Sequence, residues 1–153
     1  MIRLVRSDDV RPWADAQFDR LAAQIRSLCP AARIEHVGST AVPESWTKGD
    51  LDVCVIVLAG DFETAEKALA SRFPRNTGST AETNFASFLA PEPGIQLVVE
   101  GSALDLFCRF RDLLRANAGL RAEYDTVKQA HAAAGTDGYR EAKRRFIEQA
   151  LHG

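Results

Sequence analysis

Arg33-Ile34-Glu35-His36-Val37-Gly38-Ser39-Thr40 and, with ten residues intervening after Ser39, Asp50-Leu51-Asp52-Val53-Cys54-Val55-Ile56-Val57-Leu58 are the stretches that decide the fold. Arg33–Val37 alternates polar and apolar residues, which predicts a strand ending at Gly38. Leu51–Leu58 is the most β-prone run in the chain and predicts a central strand. Strand side chains alternate between faces, so Asp50 and Asp52 point one way, with Cα atoms roughly 6.6 Å apart, while Leu51 and Val53 enter the core. Like charges at that spacing repel unless a cation sits between them. A hard divalent cation, Mg²⁺ or Mn²⁺, takes oxygen ligands and binds one or two carboxylates together with substrate phosphates.

Gly38-Ser39 follows a strand and opens a turn, where backbone N–H groups can cradle a phosphate oxygen. A phosphate seat beside a metal seat supplies the parts of phosphoryl or nucleotidyl transfer, in which catalysis is mostly positioning and charge neutralisation. Plainer readings stand beside this one. The aspartates also suit a solvated strand entry that discourages edge pairing, and Ser39 suits an ordinary helix N-cap. His36 reads as a structural strand residue, and Cys54 as a small core residue with no activating base nearby.

Working outward, Pro12–Leu28 carries Trp13, Phe18, Leu21, Ile25 and Leu28 as a helical apolar stripe, with Pro12 in the first turn and Pro30 as the stop. Ile2–Arg6 reads as a short edge strand or an extended lead-in. Asp61–Arg72 predicts an amphipathic helix with Phe62, Ala65, Ala68, Leu69 and Phe73 inward, and Asn76–Thr83 a loop. Phe85–Leu89 and Ile95–Val99 flank Ala90-Pro91-Glu92-Pro93-Gly94 and predict a hairpin. Ser102 with Asp105 resembles a capping box opening a helical tail at about 103–116, 118–134 and 137–151. The order of helix, two strands, helix, hairpin and helical tail defines an α+β domain with a small mixed sheet, spanning 1–153 as one unit.

The 153 residues are 46% hydrophobic and 26% charged, the balance of a soluble globular domain, which excludes disorder. The longest apolar run, Val53–Ala59, is far short of the ~20 residues that cross a bilayer. Met1–Asp9 lacks the apolar core and cleavage site of a signal peptide. Three cysteines, Cys29, Cys54 and Cys108, show no metal-ligand spacing and read as reduced thiols, so the expectation is a cytoplasmic protein without a membrane partner. Lys and Arg total 19 against 21 Asp and Glu, a net charge of −2, which argues against a dedicated nucleic-acid binder.

The Gly-Ser pair, ten intervening residues and Asp-apolar-Asp-apolar together resemble the signature of the nucleotidyltransferase superfamily of the DNA polymerase β type. More narrowly, Glu35-His36-Val37-Gly38-Ser39-Thr40-Ala41-Val42-Pro43 resembles the H-[IV]-G-S-T-[AS]-V-P block of the GrpB family. Phe110-Arg111-Asp112-Leu113-Leu114-Arg115, then Tyr124 with Lys128, then Tyr139-Arg140-Glu141-Ala142-Lys143-Arg144-Arg145-Phe146-Ile147 resemble that family's helical tail. The resemblance runs from about residue 33 to the end.

It implies a nucleotidyltransferase-type domain in a family that includes fusions to dephospho-CoA kinase. The implied activity is metal-dependent transfer of a nucleotide, AMP from ATP foremost, from a nucleoside triphosphate to a hydroxyl, phosphate or protein side-chain acceptor. By the same resemblance Asp50 and Asp52 are the metal-binding catalytic acids, and Gly38, Ser39 and Thr40 seat phosphates. Lys48 offsets charge on the leaving pyrophosphate, Arg111 and Lys143 reach the triphosphate, and Glu100, on the Gln96/Val98/Glu100 face, supplies the third acid. The chain departs from the family in reading Lys48-Gly49-Asp50-Leu51-Asp52 where many members have K-P-x-x-D. It also has Ile95 and Leu97 where many have histidines. Two other readings follow from the same residues: a nucleotide- or CoA-related binding module that kept the pocket and lost turnover, and a protein-interaction domain.

Overall fold

A computed structural model describes residues 2–77, 83–89 and 93–152. In chain order the elements are β1 (Val5–Arg6), α1 (Ser7–Leu28), β2 (Arg33–Val37), β3 (Trp46–Thr47), β4 (Leu51–Val57), α2 (Phe62–Ala70), β5 (Phe85–Leu89), β6 (Pro93–Val99), α3 (Phe107–Ala116), α4 (Ala118–His131) and α5 (Gly135–His152). Short 3₁₀ turns occupy Ser39–Ala41 and Ala59–Asp61. Four strands form a mixed sheet in the order β2-β4-β6-β5, with β4 and β6 parallel and both outer pairs antiparallel. The alternation in the sequence is realised as two faces. Leu51, Val53, Val55 and Val57 join Ile95 and Leu97 under α1 and α2, whereas Val37, Cys54, Ile56 and Val98 pack against Phe107 and Cys108. Asp52 shares that second face.

β5 and β6 pair antiparallel as the hairpin reading requires, but its turn at 90–92, and residues 78–82 of the 76–83 loop, lie outside the described residues. Three expectations are corrected. Helix α1 starts at Ser7, so Pro12 lies inside it and removes the bond to the Asp8 carbonyl. The early start is secured where the Ser7 N–H donates to the Ser45 carbonyl (2.7 Å) and the Asp8 carboxylate accepts from the Glu44 N–H (3.2 Å). The buried stripe of α1 begins at Ala14, not Trp13: Ala14 and Ile25 are 0% exposed, whereas Trp13 is 45% exposed. The five-residue gap from Trp13 to Phe18 is the signal for this, since Ala14, Phe18, Leu21 and Ile25 keep strict helical spacing. Finally, Ser102 and Asp105 do not cap a helix. The Ser102 hydroxyl donates to the Val99 carbonyl, and Asp105 accepts from the Gly101 N–H (2.8 Å), closing a turn ahead of α3.

The helical tail builds a third core, in which Val42 meets Phe110, Leu114 and Tyr124, with Phe146 and Ile147 packed against them. The Asn117 side chain accepts from the Leu120 N–H and starts α4. Lys128 and Asp125 of α4 then reach across to β3. Asp125 accepts from the Ser45 hydroxyl (2.8 Å) and the Trp46 N–H (3.1 Å). Lys128, 1% exposed, pairs with Asp125 at 3.1 Å, donates to the Trp46 carbonyl and lies over the Tyr124 ring. Burial pulls the Lys128 ammonium down to about 8, against the pull of Asp125.

Removing one partner of a buried pair strands the other, so Asp125→Ala is expected to cost about 3–5 kcal/mol, read from the urea midpoint. Replacing both partners at once, Asp125→Leu with Lys128→Met, should recover most of that loss. A single-variant cost below about 1 kcal/mol would show that the knot does not hold the helical tail to β3.

Candidate active site

At Asp52 the register of the sheet places Val37 of β2 on one side and Gly94 of β6 on the other. Gly38 follows Val37 with φ of +78°. A Cβ there would stand 2.3 Å from Asp52 Oδ2, so the glycine is required twice, by conformation and by the carboxylate lying against it. At Gly94 a Cβ would stand 3.6 Å from Asp52 Oδ1 and 2.4 Å from Gln96 Nε2. Two strand ends without side chains thus make room for one carboxylate and one amide.

Burial raises the Asp52 carboxyl to about 6, with Asp50 adding to the rise and Lys143 and Lys48 opposing it. Lys143, on α5, is itself pulled below the usual lysine range by burial, while Asp52 draws it back. Lys48 pairs with Asp50 at 3.4 Å. Both ammonium groups lie over the face of Tyr139, at 5.9 Å for Lys48 and 5.2 Å for Lys143. Burial and the nearby aspartates push the Tyr139 phenol up to about 12, so the ring serves as a neutral platform for two cations.

The other expected residues divide. Ser39 shares a 2.6 Å hydrogen bond with the Thr47 hydroxyl, which also accepts from the Gly49 N–H. Thr40 is 1% exposed: its hydroxyl bonds His36 Nε2 (2.9 Å) and donates to the Asp50 carbonyl (3.1 Å). It therefore braces the aspartate segment from behind. His36 stacks on Phe18, and burial lowers its imidazole to about 4, which keeps it neutral and structural. Arg111 donates to the His36 carbonyl, to Glu35 and to Asp112, so its guanidinium clamps α3 to β2.

Glu100 is not brought to the aspartates. Its N–H donates to the Val57 carbonyl, at the far end of β4 and β6, because those strands run parallel and the acids sit at their beginnings. Beside Asp52 on that face β6 offers Gly94 and, two residues on and level with Cys54, Gln96, a neutral amide. Cys54 is 0% exposed, and its contact with the Cys108 thiol together with burial raises its pKa. Ile95 and Leu97 are 0% exposed in the core on the opposite face.

Two cavities meet at Asp52, Gln96 and Lys143. A small one of about 240 Å³ lies between the Gly38-Ser39 turn and the aromatic wall of Phe107, Phe110 and Tyr124. A wide one of about 1100 Å³ runs from Asp50 and Lys48 along α1 to Arg72. Gln96, Gly94, Tyr139 and the α1 wall escaped the sequence reading. A signal for the first two lay in β6, where Gly94 and Gln96 alternate with apolar residues. Among the described residues no group of three His, Cys, Asp or Glu side chains converges on one point. A cation held by Asp50 and Asp52 would have to take its remaining ligands from phosphate oxygens and water.

A four-stranded mixed sheet, flanked by helices, carries a Gly-Ser turn pressed against an aspartate of its central strand, an α+β architecture. The chain belongs to the GrpB family: the family described as "GrpB protein" matches residues 2–152. A UPF0157 protein of Vibrio cholerae is 30% identical over 98% of this chain and 82% of its own length. A dephospho-CoA kinase of Mycobacterium leprae is 31% identical over 94% of this chain, which spans only 44% of that protein. The crystal structure of GrpB from Enterococcus faecalis superposes with a TM-score of 0.74 and 22% identity, covering 92% of this chain and 94% of that one. No described helix is long and apolar enough to cross a membrane.

Two predictions follow from the Asp52 environment. An acid whose folded pKa is raised from 3.8 to about 6 is a proton better held in the folded state, so its contribution to stability falls as pH rises through that window. Asp52→Asn is expected to raise stability at pH 7.5 in chelator by at most about 3 kcal/mol, with the gain gone below pH about 4; denaturant melts at the two pH values read it. Gly38→Ala should destabilise the protein by more than about 1 kcal/mol, and by clearly less when Asp52→Ala is already present, as a double-mutant cycle measures.

Proposed function

We propose that this protein is a metal-dependent nucleotidyltransferase acting on a nucleoside triphosphate, AMP from ATP foremost. The observation that carries the reading is the contact of the half-buried Asp52 carboxylate with the Gly38 turn. It puts an acid against backbone that can hold phosphate, beside the cations Lys48 and Lys143. The donor's phosphates would rest on Gly38 and Ser39, and Lys143 would meet the triphosphate. An oxygen of the acceptor would attack the α-phosphorus, the bond from that phosphorus to the bridging oxygen would break, and pyrophosphate would leave with the electron pair. The proton of a hydroxyl acceptor would pass to solvent through the open cleft. A divalent cation held by Asp50 and Asp52 would neutralise charge on the reacting phosphate oxygens. Lys48, paired with Asp50, stands where it would offset charge on the leaving group.

Gln96 favours a second reading, a binding module that keeps the nucleotide and lacks turnover. On the face of β6 next to Asp52 stand Gly94 and then Gln96, and neither a glycine nor an amide can ionise as a third acid. Both readings predict nucleotide binding, and they part on turnover and on metal.

Thermal melts with ATP, CTP, GTP and UTP, each with and without Mg²⁺, decide among the readings. The transferase requires a shift that needs metal and nucleotide together, is lost in Asp52→Asn and is reduced in Lys143→Met. A metal-independent shift, with no release of pyrophosphate from any triphosphate, supports the binding module. No shift with any nucleotide ends both.

A further inference from the structure

The wide cleft carries cations that do not border the cavity at the Gly38 turn. Gly38 and Ser39 border the small cavity and not the wide one, whereas Arg20, Arg72 and Arg140 border the wide cleft and not the small cavity. The two anion-reading sets are thus segregated and touch only at the Asp52, Gln96 and Lys143 junction. Among the described residues Arg20, Arg72 and Arg140 make no ion pair. By contrast Arg144 and Arg145 on the tail are neutralised by Glu141 and Glu148. In a chain of net charge −2, a cleft bearing five cations against Asp50 and Asp52 is a local reversal of sign.

The same cleft carries exposed apolar surface. Trp13 and Leu89, two of the large hydrophobic residues left exposed, at 45% and 47%, both line it. Trp13, Gln17, Arg20 and Gln24 recur at helical spacing on one side of α1, so an aromatic ring and a guanidinium look into the cleft two turns apart, about 10.5 Å along the axis. Arg72 lies over the Phe73 ring on the opposing wall. An open tryptophan face beside unpaired arginines is chemistry for a planar ring carrying a phosphate.

We propose that the wide cleft is the acceptor site, and that the acceptor is a small phosphorylated molecule with a planar ring, held by Arg20, Arg72 and Arg140 with the ring on Trp13. This rests on the transferase reading above for the identity of the donor, and it names what that reading leaves open. An acceptor so placed has its reactive end directed to Asp52, where the two cavities join. The phosphate recognised by the arginines is therefore distinct from the phosphates seated at the Gly38 turn.

Calorimetric titration of the full chain with 5′-AMP in EDTA tests the site without metal. AMP should bind more tightly than adenosine or inorganic phosphate. Arg20→Gln with Arg72→Gln should weaken it at least tenfold, and Trp13→Ala should weaken it without changing the melting temperature. Titration of AMP onto protein saturated with α,β-methylene-ATP and Mn²⁺ separates the two sources of phosphate: simultaneous binding supports an acceptor site, and competitive displacement overturns it by assigning the arginines to the donor. Absence of AMP binding in EDTA, or AMP binding indifferent to the arginine substitutions, also overturns the inference. Analogue binding without AMP binding sinks this inference alone, and AMP binding without analogue binding sinks the donor reading beneath it.

Discussion

Asp52 can take its place at the head of the sheet only because Gly38 leaves no Cβ in its way, and the character of the site follows from that contact. A carboxylate laid against the Gly38 backbone loses water, which disfavours its charge and raises its pKa. The protein answers with a cation brought from 91 residues downstream, Lys143 on α5, and not with a neighbour in the sheet. The pairing is incomplete, since no ion-pair contact within 4 Å joins them, and each group remains shifted toward its neutral form. A half-buried acid and a half-buried base held short of full neutralisation are suited to a ligand that carries its own charge and cation.

Bringing Lys143 to that point requires the helical tail to be fixed relative to the turn. The segment from Gly38 to Thr47 is therefore gripped from both flanks. Ser7 and Asp8 of α1 hold Glu44 and Ser45, Arg115 donates to the Ala41 carbonyl, and the Asp125–Lys128 pair closes on Ser45 and Trp46. A buried ion pair adds little net stability compared with apolar residues of the same shape. Its hydrogen bonds do, however, fix one register of α4 against β3, and through α4 the depth at which α5 presents Lys143. The pair thereby serves the geometry of the site more than the strength of the fold.

The strands were the legible part of the sequence, because period-two alternation and β-branched runs report directly on burial. β2 and the start of β4 lie where Arg33–Val37 and Leu51 placed them. Trp13 misled because hydrophobic character alone does not say which side of a helix a residue takes; its small neighbour Ala14 held the buried position. Glu100 misled because face was legible while distance along the strand was not. Only the parallel register of β4 with β6 shows that the end of one strand is remote from the beginning of the other. Lys143 and Lys128 stood in blocks that resemble the family's tail, yet nothing local marks Lys128 as buried or Lys143 as half-buried. That depends on tertiary contacts between helices far apart in the chain.

Gln96 has a physical reason to be an amide. A third carboxylate there would face Asp52 across the space freed by Gly94, in surroundings that already penalise a single negative charge. It would have to stay protonated, draw Lys143 away from Asp52, or await a cation before the sheet end could pack stably. A neutral side chain avoids that repulsion, and its Nε2 hydrogens can be offered to a carboxylate or a phosphate oxygen at the junction of the two cavities. The arrangement sets two carboxylates and two lysines around one point. The balance of charge is thereby left to whatever anion and cation enter together, which links occupancy of the site to the identity of its ligand.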